Sequence, residues 1–237
     1  MNLFYSKHVS GDKIFLSENE SHHCMHVLRN NINDEIVVID GKGREYICKI
    51  IDFNKKQVTA KCIKNRKISR PLNLPHLGIS PLKSQDRIEW LIEKSIEIGV
   101  SKISFLKTSR TERSKVNMNR INKIAVSAMK QSGQHYLPII SEVAPFESFL
   151  ASVDEEHLFI AHLNDIKPTE HLADLCKENI KSCILIGPEG DFTQEEVKLA
   201  ASFNFTPVSL GNSTLRTETA GIYALSILTT FNNASRS

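Results

Sequence analysis

The sequence predicts an α/β protein made of a small N-terminal β-barrel and a larger C-terminal domain in which strands alternate with helices. Residues 1–64 contain short apolar segments at close spacing, which is the pattern of a small barrel. Beyond residue 75, short apolar runs alternate with longer segments of helical periodicity, and this order predicts a mostly parallel sheet covered by helices. Residues 65–75 separate the two patterns, because they are basic, include two prolines and show no periodicity. We therefore expect domains at residues 1–68 and 72–237.

The N-terminal module is predicted to contain one helix among several strands. Residues 17–20, Ser-Glu-Asn-Glu, match a capping box, in which the two end side chains bind each other's backbone N–H groups. The helix that begins there is expected to reach Arg29. Alternating or β-branched apolar residues predict strands at 35–40, 45–53 and 57–63, with glycine-containing or polar turns between them.

The C-terminal domain is predicted to form a sheet of five strands with helices on both faces. The strands are expected at residues 76–80, 102–107, 158–161, 183–186 and 207–210. The helices are expected at residues 84–98, 118–131, 193–203 and 217–231. Trp90, on the first of these helices, is expected in the core. The last helix is apolar nearly all round, which is typical of a buried or interfacial helix.

Charge is unevenly distributed along the chain, although the formal net charge is only +3. Residues 1–70 hold 13 basic and 8 acidic side chains, and residues 102–130 hold 8 basic side chains and 1 acidic one. Residues 151–237 hold 6 basic and 12 acidic side chains. Basic surface attracts phosphate backbones through counterion release, so the first two segments are candidate contacts for nucleic acid. Lysines that serve only solubility would give the same pattern.

The sequence gives no indication of a membrane segment or an oxidising compartment. The five cysteines are scattered singly, and the first residues lack the apolar core of a signal peptide. The longest aliphatic runs are far shorter than a membrane span. We therefore expect a cytoplasmic protein that does not bind membranes. His22 and His26 stand four apart around Cys24, but they lack an obvious third ligand, so we expect polar packing or phosphate contact and no metal.

Three loops follow the carboxyl ends of predicted parallel strands, where open α/β sheets bind their ligands. They cover residues 161–164, 186–192 and 210–220. Gly187 and Gly190 in the second loop permit positive φ or close approach of a ligand to the backbone. Neither of the two later loops matches a dinucleotide-binding or a phosphate-binding motif. Each loop, taken singly, is also compatible with an ordinary strand-to-helix turn.

Taken together, the second and third loops resemble the C-terminal motifs of the SPOUT superfamily of RNA methyltransferases. Their sequences are GPEGDFTQEE and SLGNSTLRTETA. Within that superfamily the chain resembles the RsmE family, which makes 3-methyluridine in 16S ribosomal RNA. The resemblance covers nearly the whole chain, and it includes HHCMHVLR at 22–29, DGKGREY at 40–46, RIEWLIEK at 87–94 and the segments 109–114 and 131–133.

The resemblance implies a PUA-like RNA-binding barrel followed by a SPOUT domain whose C-terminal segment forms a deep trefoil knot. It implies S-adenosylmethionine as the cofactor and a homodimer as the assembly. It also implies that the loops of the knot line the cofactor pocket through Leu163, Ile186, Gly187, Glu189, Gly190, Leu210, Gly211, Thr214 and Leu215. Asp191 stands where the family motif carries glycine, which weakens the expectation that this position needs a positive φ.

The substrate implied by the resemblance is the N3 atom of a uridine in 16S ribosomal RNA of the small ribosomal subunit. The expected RNA contacts are the arginines of the matching segments: Arg29, Arg44, Arg110 and Arg113. Uracil N3 carries a proton at neutral pH, so the enzyme must remove it or stabilise the developing anion. Arg216 is expected to stabilise that charge, unless it only pairs with Glu218. Glu218 is either a general base or a helix cap.

Two other functions remain open at this point. A non-catalytic RNA-binding or ribosome-assembly protein could keep the barrel and a decayed catalytic domain, although the intact glycines and Arg216 argue against decay. A SPOUT methyltransferase that acts on another RNA would differ only in its substrate, and the N-terminal barrel favours the ribosomal one. Binding of S-adenosylmethionine would separate the enzyme from the non-catalytic protein.

Overall fold

The computed structural model describes residues 3–54, 56–163 and 170–233. The chain divides into two compact units, and one of them is discontinuous in sequence. The first unit combines residues 1–70 with residues 126–137. The second unit consists of residues 71–125 and 138–237. None of the helices in the described ranges is long and apolar enough to cross a membrane.

The first unit contains a six-stranded sheet in the order β1-β4-β5-β6-β3-β2. Its strands are β1 (Leu3–Tyr5), β2 (His8–Ser10), β3 (Lys13–Phe15), β4 (Glu35–Ile39), β5 (Arg44–Phe53) and β6 (Val58–Lys67). Strands β1 and β4 are parallel, and the other pairs are antiparallel. The two outer strands, β1 and β2, are consecutive in the chain, so the sheet curls around its core. Strand β6 runs to Lys67, so the predicted strand end at residue 63 was wrong.

The core of this curled sheet explains why its strands form where they do. Phe4, Ile14, Val38, Cys48 and Ile50 are buried in one apolar cluster, each contributed by the inward face of its strand. Side chains alternate across a strand, so one apolar residue in two is enough to fill the interior.

The helix predicted after residue 17 is present, but its geometry changes partway along. Helix α1 (Glu18–His22) continues into a π-helical turn (His23–Val27). Arg29 was expected to end the helix, but it lies beyond the turn with φ 55°. Ser17 accepts a hydrogen bond from the Glu20 backbone N–H at 3.4 Å, which is half of the expected capping box.

The other half of the box, a bond from the Ser17 backbone N–H to the Glu20 side chain, is replaced by contacts of Glu20 with residues that are distant in the sequence. The Glu20 carboxylate accepts from the Tyr5 backbone N–H at 3.1 Å and from Lys130 Nζ. Residues 126–137 therefore belong to the first unit through specific bonds. Tyr136 contributes another, because its hydroxyl donates to the Ile68 carbonyl at 2.8 Å.

The second unit contains a six-stranded parallel sheet in the order β12-β10-β11-β7-β8-β9. Its strands are β7 (His76–Ile79), β8 (Lys102–Lys107), β9 (Ile139–Pro145), β10 (His157–Ala161), β11 (Ser182–Ile186) and β12 (Thr206–Val208). Strand β9 was not expected from the sequence pattern. The carboxyl ends of β10, β11 and β12 lie at the same edge of the sheet, because β10 pairs with both of the others.

Within the described residues, five helices connect successive parallel strands, and they are α2 (Gln85–Ile98), α3 (Met118–Gln131), α4 (Phe146–Leu150), α5 (Leu172–Leu175) and α6 (Gln194–Ser202). Helix α7 (Thr217–Asn233) follows β12. The last six residues of α3 belong to the first unit. The short helices α4 and α5 were not expected from the sequence pattern. Helix α6 begins with the predicted capping box between Thr193 and Glu196, both halves of which are formed. Trp90 was expected in the core, but it is 43% exposed, because the apolar face of α2 is formed by Ile88, Leu91 and Ile92.

Candidate functional site

The loops after β10, β11 and β12 enclose a cavity of about 310 Å³ in the second unit. This volume lies at the lower end of the range of small-molecule sites. Of the nine residues expected to contact a cofactor, eight line this cavity: Leu163, Ile186, Gly187, Glu189, Leu210, Gly211, Thr214 and Leu215. The ninth, Gly190, is not among the lining residues. Asn164, at the end of the first predicted loop, lies outside the described residues.

Two glycines give the cavity its backbone surface. Gly211 has φ 109°, a conformation that residues with a Cβ atom rarely adopt. A Cβ atom added at Gly187 would lie 3.1 Å from the backbone nitrogen of Phe192, which leaves almost no room for it. At both positions, therefore, the fold itself favours glycine. The wall there consists of peptide groups, which can bind a ligand by N–H and C=O hydrogen bonds.

Asp191 joins two of the loops around the cavity. It has φ 61°, so the position does adopt a positive φ, and the expectation that aspartate weakens this requirement was wrong. Aspartate is among the residues that tolerate the left-handed region. Its Oδ2 atom accepts from the Leu163 backbone N–H at 2.8 Å, and Oδ1 accepts from the N–H of Phe192 at 2.8 Å. The carboxylate thus fastens the loop after β10 to the loop after β11.

The two residues expected to be catalytic occupy different positions. Arg216 lines the cavity, and its side chain is exposed. Glu218 does not line the cavity, and its side chain is only 8% exposed. The Glu218 Oε1 atom lies 3.4 Å from Arg87 Nε, so the carboxylate pairs with Arg87 and not, as one alternative held, with Arg216. The second oxygen, Oε2, has no hydrogen-bond partner among the described residues.

Arg87 lines the same cavity and was not predicted as a site residue. It lies in the first turn of α2, and its side chain is 39% exposed. Sequence reasoning could place it only on the polar side of an amphipathic helix. The pairing with Glu218 depends on the packing of α2 against α7, which the sequence does not reveal.

Two of the four predicted RNA-binding arginines lie in the loop after β8, close to the cavity loops. Arg110 is exposed and donates through Nη1 to the Gly190 carbonyl. Arg113 donates to the Lys83 carbonyl at 3.2 Å and to Gln85 Oε1 at 3.1 Å. Both side chains therefore also fasten loops of the second unit.

The other two predicted RNA contacts lie in the first unit, on its curled sheet and its helical turn. The side chains of Arg29 and Arg44 are exposed. Asp40 accepts a hydrogen bond from the Arg44 backbone N–H at 3.0 Å through Oδ1, which shapes the turn before β5. Neither guanidinium is buried, so both can meet phosphate.

Two groups of side chains among the described residues are of the types that bind metals. The ring centroids of His22 and His26 lie 4.8 Å apart, and the ring planes are tilted by 43°. His76 is buried near Glu155 and Cys183. Its Nδ1 lies 2.8 Å from Glu155 Oε1 and its Nε2 lies 2.9 Å from a serine hydroxyl, so both ring nitrogens already have hydrogen-bond partners. Burial raises the pKa of the Cys183 thiol.

Family comparisons agree with this architecture. Residues 70–229 match a family model described as an RNA methyltransferase domain. Residues 16–62 match a model described as an RNA methyltransferase PUA domain. The class that the fold and the cavity define is thus the RNA methyltransferases that carry a PUA domain.

Individual relatives narrow this class. The chain is 32% identical over 232 residues to ribosomal RNA small subunit methyltransferase E of Buchnera aphidicola, with 91% of the chain and 87% of the relative covered. A "probable rRNA-methyltransferase" from Porphyromonas gingivalis superposes with a TM-score of 0.92 at 32% identity, with both chains covered completely. The small subunit methyltransferase E of Neisseria gonorrhoeae, solved bound to S-adenosyl methionine, gives a TM-score of 0.84 at 26% identity and 98% coverage of each chain. The chain belongs to the ribosomal RNA small subunit methyltransferase E family.

Proposed function

We propose that this protein transfers a methyl group from S-adenosylmethionine to the N3 atom of a uridine in 16S ribosomal RNA. The observation that carries the proposal is the cavity at the carboxyl ends of β10, β11 and β12, whose walls contain eight of the nine residues expected to hold the cofactor. The relative from Neisseria gonorrhoeae, which is similar over 98% of its length, binds S-adenosyl methionine. Family membership supports ribosomal RNA of the small subunit as the substrate.

The lining of the cavity fits this cofactor. Gly187 and Gly211 expose peptide groups that can read the edge of an adenine by hydrogen bonds. Glu189 also lines the cavity, and its negative charge suits a ligand that carries a sulfonium and an ammonium group. The described part of the cavity lacks a glycine-rich phosphate loop, and its two acidic residues, Glu189 and Asp191, would repel a triphosphate. When bound, S-adenosylmethionine supplies an electrophilic methyl group.

The residues of the chain then have separate tasks. The transfer would form a bond from uracil N3 to the methyl carbon, break the bond from sulfur to that carbon, and release the N3 proton to a base or to water. Arg216 stabilises the negative charge that develops on the uracil carbonyl oxygens. Glu218 as the general base stays a prediction, and its position outside the cavity wall supports a different role. RNA contacts by Arg29, Arg44, Arg110 and Arg113 are part of the proposal.

Three further features belong to the proposal. A trefoil knot in residues 72–237 follows from the family resemblance, and the packing of α7 against β7 and β11 in the middle of the sheet is compatible with it. The protein acts in the cytoplasm, where ribosomal RNA is modified.

The protein acts as a homodimer, and the partly exposed Trp90 and Tyr223, on the packed helices α2 and α7, support a contact there. Light scattering should give twice the mass of one chain for the wild type and the mass of one chain for Trp90→Glu. Leu72→Glu, at a more exposed apolar residue, should leave the mass unchanged.

The enzymatic proposal is tested by methyl transfer in vitro. Small subunits isolated from a strain without this gene are incubated with the protein and S-adenosylmethionine carrying a labelled methyl group. Mass mapping of the digested 16S RNA should find the label on N3 of one uridine. Cofactor binding without any labelled uridine in 16S RNA would refute the ribosomal substrate. No cofactor binding would favour a non-catalytic RNA-binding protein.

A further inference from the structure

The pairing of Arg87 with Glu218 is not explained by the predicted role of Glu218 as a general base, although Arg87 lines the cavity. Arg87 is 39% exposed and belongs to the cavity wall, whereas Glu218 is 8% exposed and lies behind it. The two side chains come from the first turns of α2 and α7. Burying a carboxylate costs free energy, and a surface position of helix α7 would avoid that cost. The placement therefore calls for a reason beyond stability.

The geometry of the pair places the carboxylate at one edge of the guanidinium. Glu218 Oε1 lies 3.4 Å from Nε of Arg87, so the carboxylate occupies the Nε side. Arginine carries five N–H donors in a planar fork, and the two terminal nitrogens remain available for a second partner. A fork that is held at one edge is well suited to bind a carboxylate through two parallel hydrogen bonds.

The chemistry of the cofactor supplies such a carboxylate. S-adenosylmethionine has one group that is always negatively charged, the α-carboxylate of its methionine part. A neutral uracil offers no full negative charge before the reaction begins. Among the arginines that line the cavity, Arg216 is the exposed one, whereas Arg87 is anchored by a buried acid. An anchored cation suits a ligand group that is charged throughout, and an exposed cation suits a substrate that arrives from solvent.

We propose that Arg87 binds the α-carboxylate of S-adenosylmethionine and that Glu218 is a positioning residue that holds the Arg87 guanidinium in the required orientation. The proposal rests on the function proposed above, because it assumes that the cavity binds this cofactor. Arg87 thereby acts as a binding residue, and Glu218 acts only through it.

Calorimetry with two ligands tests the assignment without any need for turnover. S-adenosylhomocysteine carries the α-amino acid part, and 5′-methylthioadenosine lacks it. Arg87→Met should weaken binding of S-adenosylhomocysteine by about 10- to 100-fold, the scale of a lost hydrogen bond to a charged group. Binding of 5′-methylthioadenosine should be unchanged. Glu218→Gln should weaken only S-adenosylhomocysteine, by about two- to fivefold, the scale of a partly exposed ion pair.

A second ion pair on the same helix gives a matched control. Glu89 lies on α2 and pairs with Arg120 at 2.9 Å, and neither residue lines the cavity. Glu89→Gln should therefore leave the affinity for both ligands unchanged.

The possible contrary results are distinguishable. If the wild-type protein binds neither ligand, the proposed function fails and this inference fails with it. If the wild type binds both ligands and Arg87→Met lowers the affinity for both equally, only the role of Arg87 is overturned. The same conclusion follows if the wild type binds both ligands with equal affinity. If Arg87→Met keeps its affinity for S-adenosylhomocysteine and loses methyl transfer, Arg87 serves the RNA instead, and the assignment to the carboxylate is wrong.

Discussion

Arg216 is the side chain on which the proposed methyl transfer depends most. It lines the cavity from the loop that precedes α7, and Glu218 is paired with Arg87 instead. Arg216→Ala should lower the turnover number by about 100-fold, the usual loss when one charge-stabilising group is removed. The affinity for S-adenosylmethionine should change little, because the charge that Arg216 stabilises develops only in the transition state. Single-turnover methylation and calorimetry measure the two quantities.

The conservative replacement sharpens this prediction. Arg216→Lys should recover only part of the rate, because an ammonium group cannot make the planar two-pronged contact of a guanidinium. The melting temperature of both variants should match that of the wild type, since the side chain is exposed. A variant that melts normally and turns over at the wild-type rate would remove Arg216 from the mechanism.

Gly211 provides a test of the cavity backbone that is independent of charge. A Cβ atom there would meet nothing within 4 Å, so the cost of Gly211→Ala comes from its φ of 109° alone. Strain of about 1–3 kcal/mol should move the loop and reduce the affinity for S-adenosylhomocysteine by roughly tenfold. Gly133→Ala is the matched control, because Gly133 also has open space and a positive φ of 69° but lies outside the cavity. Equal losses of affinity in the two variants would contradict the role of the Gly211 loop.

At the scale of single elements, strand β5 is joined to the segment that follows α3 by one carboxylate. Glu45 Oε1 accepts from Arg66 Nε at 2.7 Å, and Oε2 lies 2.9 Å from His135 Nε2. The hydrogen bond from Arg66, together with that from His135, holds the pKa of Glu45 below its ordinary value, against the opposing effect of burial. Because the pKa is lower in the folded state, the stabilisation is complete above the ordinary pKa and is lost as the pH falls through the folded-state pKa.

The lowered pKa of Glu45 predicts that the stabilising effect of this carboxylate depends on pH. At pH 7, Glu45→Gln should melt at a lower temperature than the wild type, and the difference should shrink as the pH falls below about 4. Glu35→Gln, which changes an exposed carboxylate on the neighbouring strand β4, should show no such pH-dependent difference. Thermal melts of the three proteins between pH 7 and pH 3 measure it. A gap that stays constant over this range would contradict the ionised pair.

The sequence predicted the elements with strong periodicity and missed those that depend on neighbours. Helix α2 and its end at Gly99 were predicted from the apolar spacing and from the glycine itself. In the structure, Gly99 has φ 107°. Strand β9 was missed because it lies at the edge of the sheet, where its half-exposed residues show no clear alternation and a proline ends the strand. The cavity loops could be predicted because glycine permits a positive φ and close backbone approach, whereas proline fixes φ. Arg87 could not, since its role depends on a partner more than a hundred residues away in the chain.

At the scale of the whole molecule, RNA binding should depend strongly on salt. Exposed arginines in residues 1–70 and 102–130, such as Arg29, Arg44 and Arg110, can neutralise phosphates, and counterions released from the RNA drive that binding. Replacing both Arg29 and Arg44 by alanine should reduce the slope of log affinity against log salt by about 2, one for each lost phosphate contact. Filter binding of 16S RNA at several salt concentrations measures the slope. Lys198→Ala removes an exposed charge in the acidic C-terminal part and should leave the slope unchanged. If Lys198→Ala changed the slope as much as the double variant does, a specific RNA-binding surface would be refuted.

The discontinuous first unit has a consequence for how the chain matures during its synthesis. Its curled sheet is complete in sequence at about residue 70, yet residues 126–137 supply bonds to Glu20 and Ile68. Ribosomes add about 5–20 residues per second, so the nascent sheet waits several seconds for these partners to leave the exit tunnel. During that interval the carboxylate of Glu20 lacks Lys130, and the N-terminal unit is short of its final stability. A synonymous slow codon placed between residues 70 and 126 would prolong this vulnerable period, which proteases and chaperones could sense before the catalytic unit exists.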